Sequence, residues 1–574
     1  MALTSGIQQS IFVVMAKNNI SKKTPSKSHG TKRWKLSKLE LLYRQSWLFG
    51  WQLNGPDPSA PLPVFVDPWK GDPQTGALIA QGALPFAISS EQFARFDWMR
   101  DLRDYGGSRA RATARSLIMR WMKDYQDWSV LQWRPDIIAI RLTNLLLTYG
   151  WFGQSADEDF QQQLKQMMAV QFRCLSLDWQ RLTSSFDQLV ALNGLVMAQV
   201  ALNIPLQAAK GAKDVNALLD LIIPKVKGQL NPDGGHKSRQ PETHLHLLRL
   251  LLECRVAMAQ IGLADRPGLE ELIVKMAAIV KMWRHGSGEF AHFHFAGSVP
   301  AADIEQVINR CAVKGRVISV AEDTGFVRLS AARSLVIMDT GVSPQSHLIT
   351  RPEPDAAQTG TPASVFAFEF SVSNHQFIVN SGQTSPEPRL NKALCQTAAH
   401  SCLTLDGLDN HRPVKGLPAA VLSLDVTTAE DGFLIEGLHD GYARSHGILH
   451  KRQLFLAKSG NSLRGRDTLT YPGAPGEIPK EAIIRFHLHP RVSAAKIKQN
   501  QILMKIHNQK TGWVFKCRGG EVFLDQSVYM NGPARLSCQQ IVIRTLANHI
   551  QINGTADISW AFNRHSPSGP KGTK

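Results

Sequence analysis

The sequence predicts an α+β multidomain protein, a helical N-terminal half followed by an antiparallel β-sandwich, and three observations predict it. The chain has 574 residues, too many for one compact core, so two or more domains are expected. From about residue 40 to 310, apolar residues recur every three or four positions, the period of a helix. From "TGFVRLSAARSLVIMDTG" (324–341) onward, segments shorten, carry β-branched or aromatic residues and end at turn residues, the pattern of strands.

Each helical stretch has its own signature. "ARATARSLIMRWMKDY" (110–125) has a simple amphipathic repeat. "RPDIIAIRLTNLLLTYGWF", "FDQLVALNGLVMAQVAL", "VNALLDLIIPKVKGQL", "THLHLLRLLLECRVAMAQIGL" and "LEELIVKMAAIVKMWR" are apolar over more than one face. Such helices need neighbours on two sides, so a layered array of helical hairpins, open or closed into a ring, is expected. Beyond a boundary near 310–323, "VFAFEFSVSNHQFIVNSG" reads as a hairpin with Phe366, Phe368 and Phe370 on one face. "QLFLAKSGNSLRGRDTLT", "AIIRFHLHP", "QILMKIHNQKTGWVFKC" and "GEVFLDQSVYM" continue it, so twelve or more strands without intervening helices imply stacked sheets. The expected division is a disordered basic tail (1–39), a helical domain (40–315), a sandwich (316–560) and a second tail (561–574).

The formal charge of +18 is unevenly placed. Residues 1–39 hold eight Lys or Arg and no acid, and the last fifteen residues add Arg564, Lys571 and Lys574. A nucleic-acid binder carries its surplus on a folded face, so no specific nucleic-acid partner is expected. Seven dispersed cysteines without a C-x-x-C pair argue against a disulfide framework or thiolate zinc site. No apolar run is long enough to span a bilayer, and "SIFVVMAK" lacks the charge and cleavage site of a signal peptide. The cytoplasm is the default compartment, with the periplasm or cell envelope left open.

"NPDGGHKSRQPETHLHLLRLLL" (231–252) concentrates the chemistry of the helical half. A glycine turn presents His236 and Arg239 at a helix start. There they either close the helix entry or hold a carboxylate by charge-assisted bonds. His244 and His246 are two residues apart and cannot share a helix face. His244 is the better cleft candidate, and His246 reads as packing or surface. The "HFH" (292–294) and "HLH" (487–489) pairs lack a third ligand at supporting spacing, so no metal or other cofactor is expected. Trp121, Trp128, Trp133 and Trp151 read mainly as helix packing, with sugar stacking the alternative. Tyr442, in "HDGYARSH", is a core aromatic or a substrate-binding residue near the cleft.

The chain resembles the heparinase II/III-like family, in particular its alphaproteobacterial branch. The resemblance rests on "FDWMRDLRDYGGSRARATAR", "WRPDIIAIRLTNLL", "NPDGGHKSR", "RHGSGEFAHF", "TGFVRLSAARSLVIMDTG", "AFEFSVSNHQFIVNSG", "TAAHSCLTLDG" and "LHDGYARSHGILHKRQLFLA". It implies an N-terminal incomplete α/α toroid followed by the sandwich, and cleavage of an acidic polysaccharide by β-elimination without a cofactor. In that reaction a polar or cationic group neutralises the uronate carboxylate, a Tyr or His removes the adjacent proton, and a Tyr protonates the leaving oxygen. The resemblance also carries His400 of "TAAHSCLTLDG" into the domain interface as a catalytic candidate beside His236 and Arg239.

The chain departs from the family pattern at three places. Its tyrosines are 43, 105, 125, 149, 442, 471 and 529, and the position matching the family's catalytic Tyr is near Thr243. The upstream Asn-His pair falls near Phe186 and Asp187. Pro362 stands where a His would open the sandwich. Two functions remain in view: a lyase acting on an acidic glycan, with His236 or His400 moving the proton, and a non-catalytic carbohydrate-binding or scaffold protein that keeps the fold. The oligomeric state is not indicated.

Overall fold

The computed structural model describes residues 34, 36–83, 89–204, 214–263, 266–294, 299–312, 317–341, 362–382, 387–410, 421–472, 479–509, 511–532, 534–546 and 554–565. The expected tails therefore lie largely outside the described residues. Two edges of the expected division move. Trp34 is buried and helix α1 (Lys38–Arg44) is already formed, while strand β17 runs Thr555–His565. Arg564, counted with the C-terminal tail above, thus belongs to a strand.

Thirteen helices among the described residues precede the first strand. Helix α2 spans Trp47–Leu53; α3, Pro73–Ala80; α4, Ser90–Arg95; α5, Trp98–Tyr105; α6, Gly107–Asp124; α7, Pro135–Phe152; α8, Glu158–Asp178; α9, Ser185–Leu202. They are followed by α10 (Val215–Gln229), α11 (Pro241–Ala259), α12 (Pro267–Met282) and α13 (Ala301–Cys311). Local chemistry sets several starts: Asp157 caps α8, Ser184 caps α9, and prolines open α7, α11 and α12. Helices α7 and α9 are buried around most of their circumference, as their unbroken apolar runs require. Their backbones meet at Gly194, where a Cβ would lie 2.6 Å from Ala139 Cα. Helix α9 is long and apolar enough to cross a membrane, but most of it is buried inside this domain. Trp121 and Trp133 are buried and Trp128 and Trp151 half-buried, all within the helical core.

The C-terminal half forms two antiparallel sheets. Strands used below are β2 (Phe326–Ala331), β3 (Ser334–Asp339), β4 (Phe368–Val372), β5 (His375–Val379), β9 (Ile448–Ala457), β10 (Ser462–Thr470), β11 (Glu481–Leu488), β14 (Gly512–Arg518) and β15 (Glu521–Asn531). With β1 (Val320–Ala321), β6 (Leu403–Leu405), β7 (Val421–Thr428), β8 (Gly432–Tyr442), β12 (Val492–Lys498), β13 (Gln501–Ile506) and β16 (Ala534–Leu546), the first sheet runs β1-β2-β3-β4-β5-β11-β16-β15, β6 pairing with β11; the second runs β12-β13-β14-β17-β10-β9-β8-β7. The β4–β5 hairpin is present, and Phe368 and Phe370 point into the core against Trp560 and Trp513. Two short helices, Pro388–Leu394 and Ala443–His446, interrupt the expected unbroken strand series. Strand β3 is buried at every residue because one face meets the sandwich core and the other meets the helices.

Candidate functional site at the helix–sandwich interface

The turn before α11 is built by Asp233, whose Oδ1 accepts from Gly235 N at 3.1 Å. The same carboxylate accepts from Thr324 N (2.7 Å) and Thr324 Oγ1 (2.6 Å), so it pins the turn to the sandwich. This orientation sends His236 and Arg239 inward, away from any solvent cleft. His236 is 1% exposed, with Nδ1 2.6 Å from Ser238 Oγ and Nε2 3.1 Å from Gln229 Oε1. Burial lowers its pKa to about 3, so the imidazole is neutral at ordinary pH.

Arg239 sits at φ +58° and is 5% exposed. Its Nε donates to Thr324 O (2.7 Å), its Nη2 donates to Gly325 O (2.7 Å) and to Asp339, and the guanidinium lies 4.7 Å from the Phe326 ring centroid. Gly325 and Gly341 leave the necessary room: a Cβ on Gly341 would fall 2.7 Å from Nη2. The carboxylate that Arg239 holds is thus that of Asp339, in an interdomain ion pair, and not a ligand's. The sequence shows the turn and its cation, but not that β3 delivers an acid to it.

Asp339 and a second buried acid, Glu369 on β4, organise the interface. Asp339 also accepts from His294 Nε2 (2.8 Å), Ser364 Oγ (2.8 Å) and Gly341 N (3.1 Å). Burial pushes its pKa up, but Arg239 and His294 outweigh this and hold it at about 2. Glu369 accepts from His285 Nε2 (2.9 Å), His292 N (3.0 Å), Asn380 N (2.9 Å) and Asn380 Nδ2 (3.2 Å). Burial again opposes ionisation, and the hydrogen bond from His285 leads the interactions that lower the pKa overall. Each acid is held from both sides, by the loop after α12 or the turn before α11 and by sandwich groups, Ser364 and Gly341 on Asp339 and Asn380 on Glu369.

The other predicted residues are also internal. His400 is fully buried, its Nδ1 2.9 Å from Gln396 O, and burial lowers its pKa to about 4. His244 is fully buried on α11, its Nε2 2.9 Å from Met276 O and its ring edge-on to Trp283. Tyr442 is a core aromatic whose hydroxyl donates to Leu403 O at 2.6 Å. Thr243, in the family's tyrosine position, is buried and donates to Gln240 Oε1 at 2.7 Å. These residues are not gathered around one open cavity.

One His–Tyr pair escaped the sequence reading. Tyr529 on β15 stacks on His292, with centroids 5.0 Å apart and planes at 20°, and His489 meets its edge at 5.1 Å. The hydroxyl is 3.5 Å from both His292 Nε2 and Gln376 Oε1. Near-parallel rings aim the in-plane lone pair of the imidazole poorly at a hydroxyl on the stacked ring, so this contact is mainly packing. Burial raises the Tyr529 pKa and lowers that of His292, giving a protonated phenol beside a neutral imidazole. One histidine of each pair, His292 and His489, flanks Tyr529, whereas His294 faces Asp339 and His487 contacts Ser527 and Ala398. Among the described residues no group of three His, Cys, Asp or Glu could hold a metal ion.

An open trough lies on the outer face of the second sheet. Its volume is about 490 Å³ and its lining includes Arg464, Arg466, Lys516, Arg518, Phe455 and Ser559. Register explains it. Ala561 lies between Arg464 on β10 and Lys516 on β14, and Ser559 lies between Arg466 and Arg518. Small residues on β17 form the floor, and two rows of cations, about 10 Å apart across two strand spacings, form the walls. Arg464 stacks on Phe455 at 5.6 Å, and the acid nearest the wall cations among the ion pairs of the described residues is Asp557, 4.0 Å from Arg466 Nε.

The helical domain and the sandwich together have the fold of solved heparinase structures. Residues 314–561 match the family model "Heparinase II/III-like, C-terminal", so this part of the chain is a heparinase II/III-like C-terminal domain. The whole chain has the heparinase III architecture. It matches the structure titled heparinase III at 12% identity and TM-score 0.65, covering 94% of each chain. It matches heparan sulfate lyase HepC from Pedobacter heparinus at 12% identity and TM-score 0.60, covering 94% of this chain and 93% of that one. At these identities the likeness concerns fold alone. A curated relative, FtsZ-localized protein C of Caulobacter vibrioides, is 26% identical over 537 residues, 87% of this chain and 89% of that protein.

Proposed function

We propose that this protein is a non-catalytic scaffold of the heparinase II/III-like family that binds an acidic oligosaccharide through the sandwich trough. The carrying observation is the Arg239–Asp339 ion pair, which commits the best carboxylate-binding side chain of the toroid to holding the two domains together. Four exposed cations on the second sheet, of which Arg466 is shared with Asp557 at 4.0 Å, offer the alternative for a polyanion, with Phe455 beside Arg464 as a ring for a sugar. The heparan sulfate lyase likeness supports the choice of an acidic glycan. The name of the Caulobacter relative supports a place with the FtsZ division machinery, to be tested by imaging a fluorescent fusion in dividing cells.

The binding reading is tested by calorimetry with uronate oligomers. Binding that falls at least tenfold in Arg466→Gln/Arg518→Gln supports it, and unchanged affinity removes the trough from the account. A catalytic reading would rest on the Tyr529–His292 pair, with His292 as base and Tyr529 as acid once the rings leave their stacked arrangement. Release of an unsaturated uronate product, lost in Tyr529→Phe, would support that reading instead.

A further inference from the structure

Large exposed apolar side chains concentrate at the N-terminal edge of the helical domain. On α1, Leu39, Leu42 and Tyr43 follow i, i+3, i+4 spacing; on α2, Trp47 and Trp51 are i, i+4 with Leu48 beside them. Leu39 is 78% exposed, Trp47 77%, Trp51 70% and Leu42 65%. The opposite faces are firmly held. Phe49 and Leu53 enter the core, and Arg44 pairs with Asp178 of α8 while lying 4.9 Å from the Phe49 ring. The hairpin is braced further by Tyr43, whose hydroxyl donates to Gln52 Oε1 at 2.7 Å. The two helices thus present an apolar stripe to solvent on a fixed mount, the reverse of a core-facing helix.

Charge identifies what covers the stripe. Residues 1–39 contain eight Lys or Arg and no acid. The one acid on α1, Glu40, is held by Ser37 and Arg181, and α2 has none. Exposed tryptophans that follow a run of cations in the sequence match the boundary of an anionic bilayer, where indoles lie at headgroup depth and cations meet lipid phosphates. A second copy of this chain would bring the same cations into opposition.

We propose that α1 and α2 form a membrane-docking face that seats this protein on an anionic lipid surface. The stripe inserts shallowly, and the preceding cations supply the attraction to headgroups. This holds whether or not the trough binds a glycan, because the two surfaces share no residue.

Flotation of the full chain with vesicles provides the test, comparing phosphatidylcholine alone with phosphatidylcholine mixed with phosphatidylglycerol. The wild type is expected to float with the mixed vesicles and far less with neutral ones. Trp47→Glu/Trp51→Glu should reduce flotation roughly tenfold or more, with thermal melting unchanged because both side chains face solvent. Leu39→Gln/Leu42→Gln, on the other helix, should act in the same direction. Three results would overturn the proposal: no flotation by the wild type, flotation unchanged in both variants, or self-association abolished by the variants without any vesicle binding.

Discussion

Arg239, from the turn before α11, and Asp339, at the end of β3, form a buried ion pair across the two domains, 5% and 0% exposed. Two backbone carbonyls share the same guanidinium, so its donors are matched to sandwich groups. Removing one partner of such a pair leaves the other charged and desolvated, at a cost of about 3–5 kcal/mol. Arg239→Ala should therefore lower unfolding stability by that order in urea titration, with uronate affinity unchanged. Arg239→Lys should recover only part, since lysine keeps the charge but lacks the planar fork. A stable Arg239→Ala variant with weakened glycan binding would restore the anion-lip assignment.

Stability should fall on mild acidification. His236 is held to about 3, and His244 and His400 to about 4, each chiefly by burial. In the unfolded chain they titrate near 6.5 and take up protons that the folded chain refuses. Their contribution is complete above that value and is lost as pH falls toward the folded pKa, at about 1.4 kcal/mol per pH unit for each histidine. Asp339 adds a loss below the ordinary carboxylate range, toward its folded value of about 2. Melting temperature should be level between about pH 7 and 8 and decline steadily below about 6.5. A flat profile down to pH 5 would contradict neutral buried histidines.

Truncation at two nearby points should give different results. Trp34 is buried against Trp128 and bridges to Leu182, and Ser37 closes a capping box with Glu40. Deleting residues 1–33 removes neither feature and should leave the melting temperature nearly unchanged. Deleting 1–38 removes both, and the cap alone is worth about 1 kcal/mol. Equal melting temperatures for the two truncations would show that Trp34 does not anchor the edge of the domain.

Tyr442 offers a check on the missing catalytic tyrosine. Its hydroxyl satisfies Leu403 O inside the sandwich. Tyr442→Phe should lose about 1 kcal/mol of stability and leave any ligand binding as it was. Weakened binding without lost stability would return Tyr442 to the site.

The architecture was legible because period is a local property: α9 and β9 announce themselves within ten residues. The site was not. Glu369, between Phe368 and Phe370, reads as the solvent face of a strand, yet it is buried because helical-domain histidines cover that face. Asp339 reads as the turn after a strand and proves to be the partner of Arg239, a hundred residues away. Tyr529 reads as one aromatic in an alternating strand, and only the assembled fold stacks it on His292. Pairings of this kind depend on how two domains meet, information that no single segment holds.

Absorbance of unsaturated uronate product across a panel of acidic polysaccharides is the most direct test of the scaffold reading. No product is expected from the wild-type chain, while uronate oligomers still bind and Arg466→Gln/Arg518→Gln weakens that binding. Steady product formation by the wild type, abolished in Tyr529→Phe, would contradict it and make the chain a lyase.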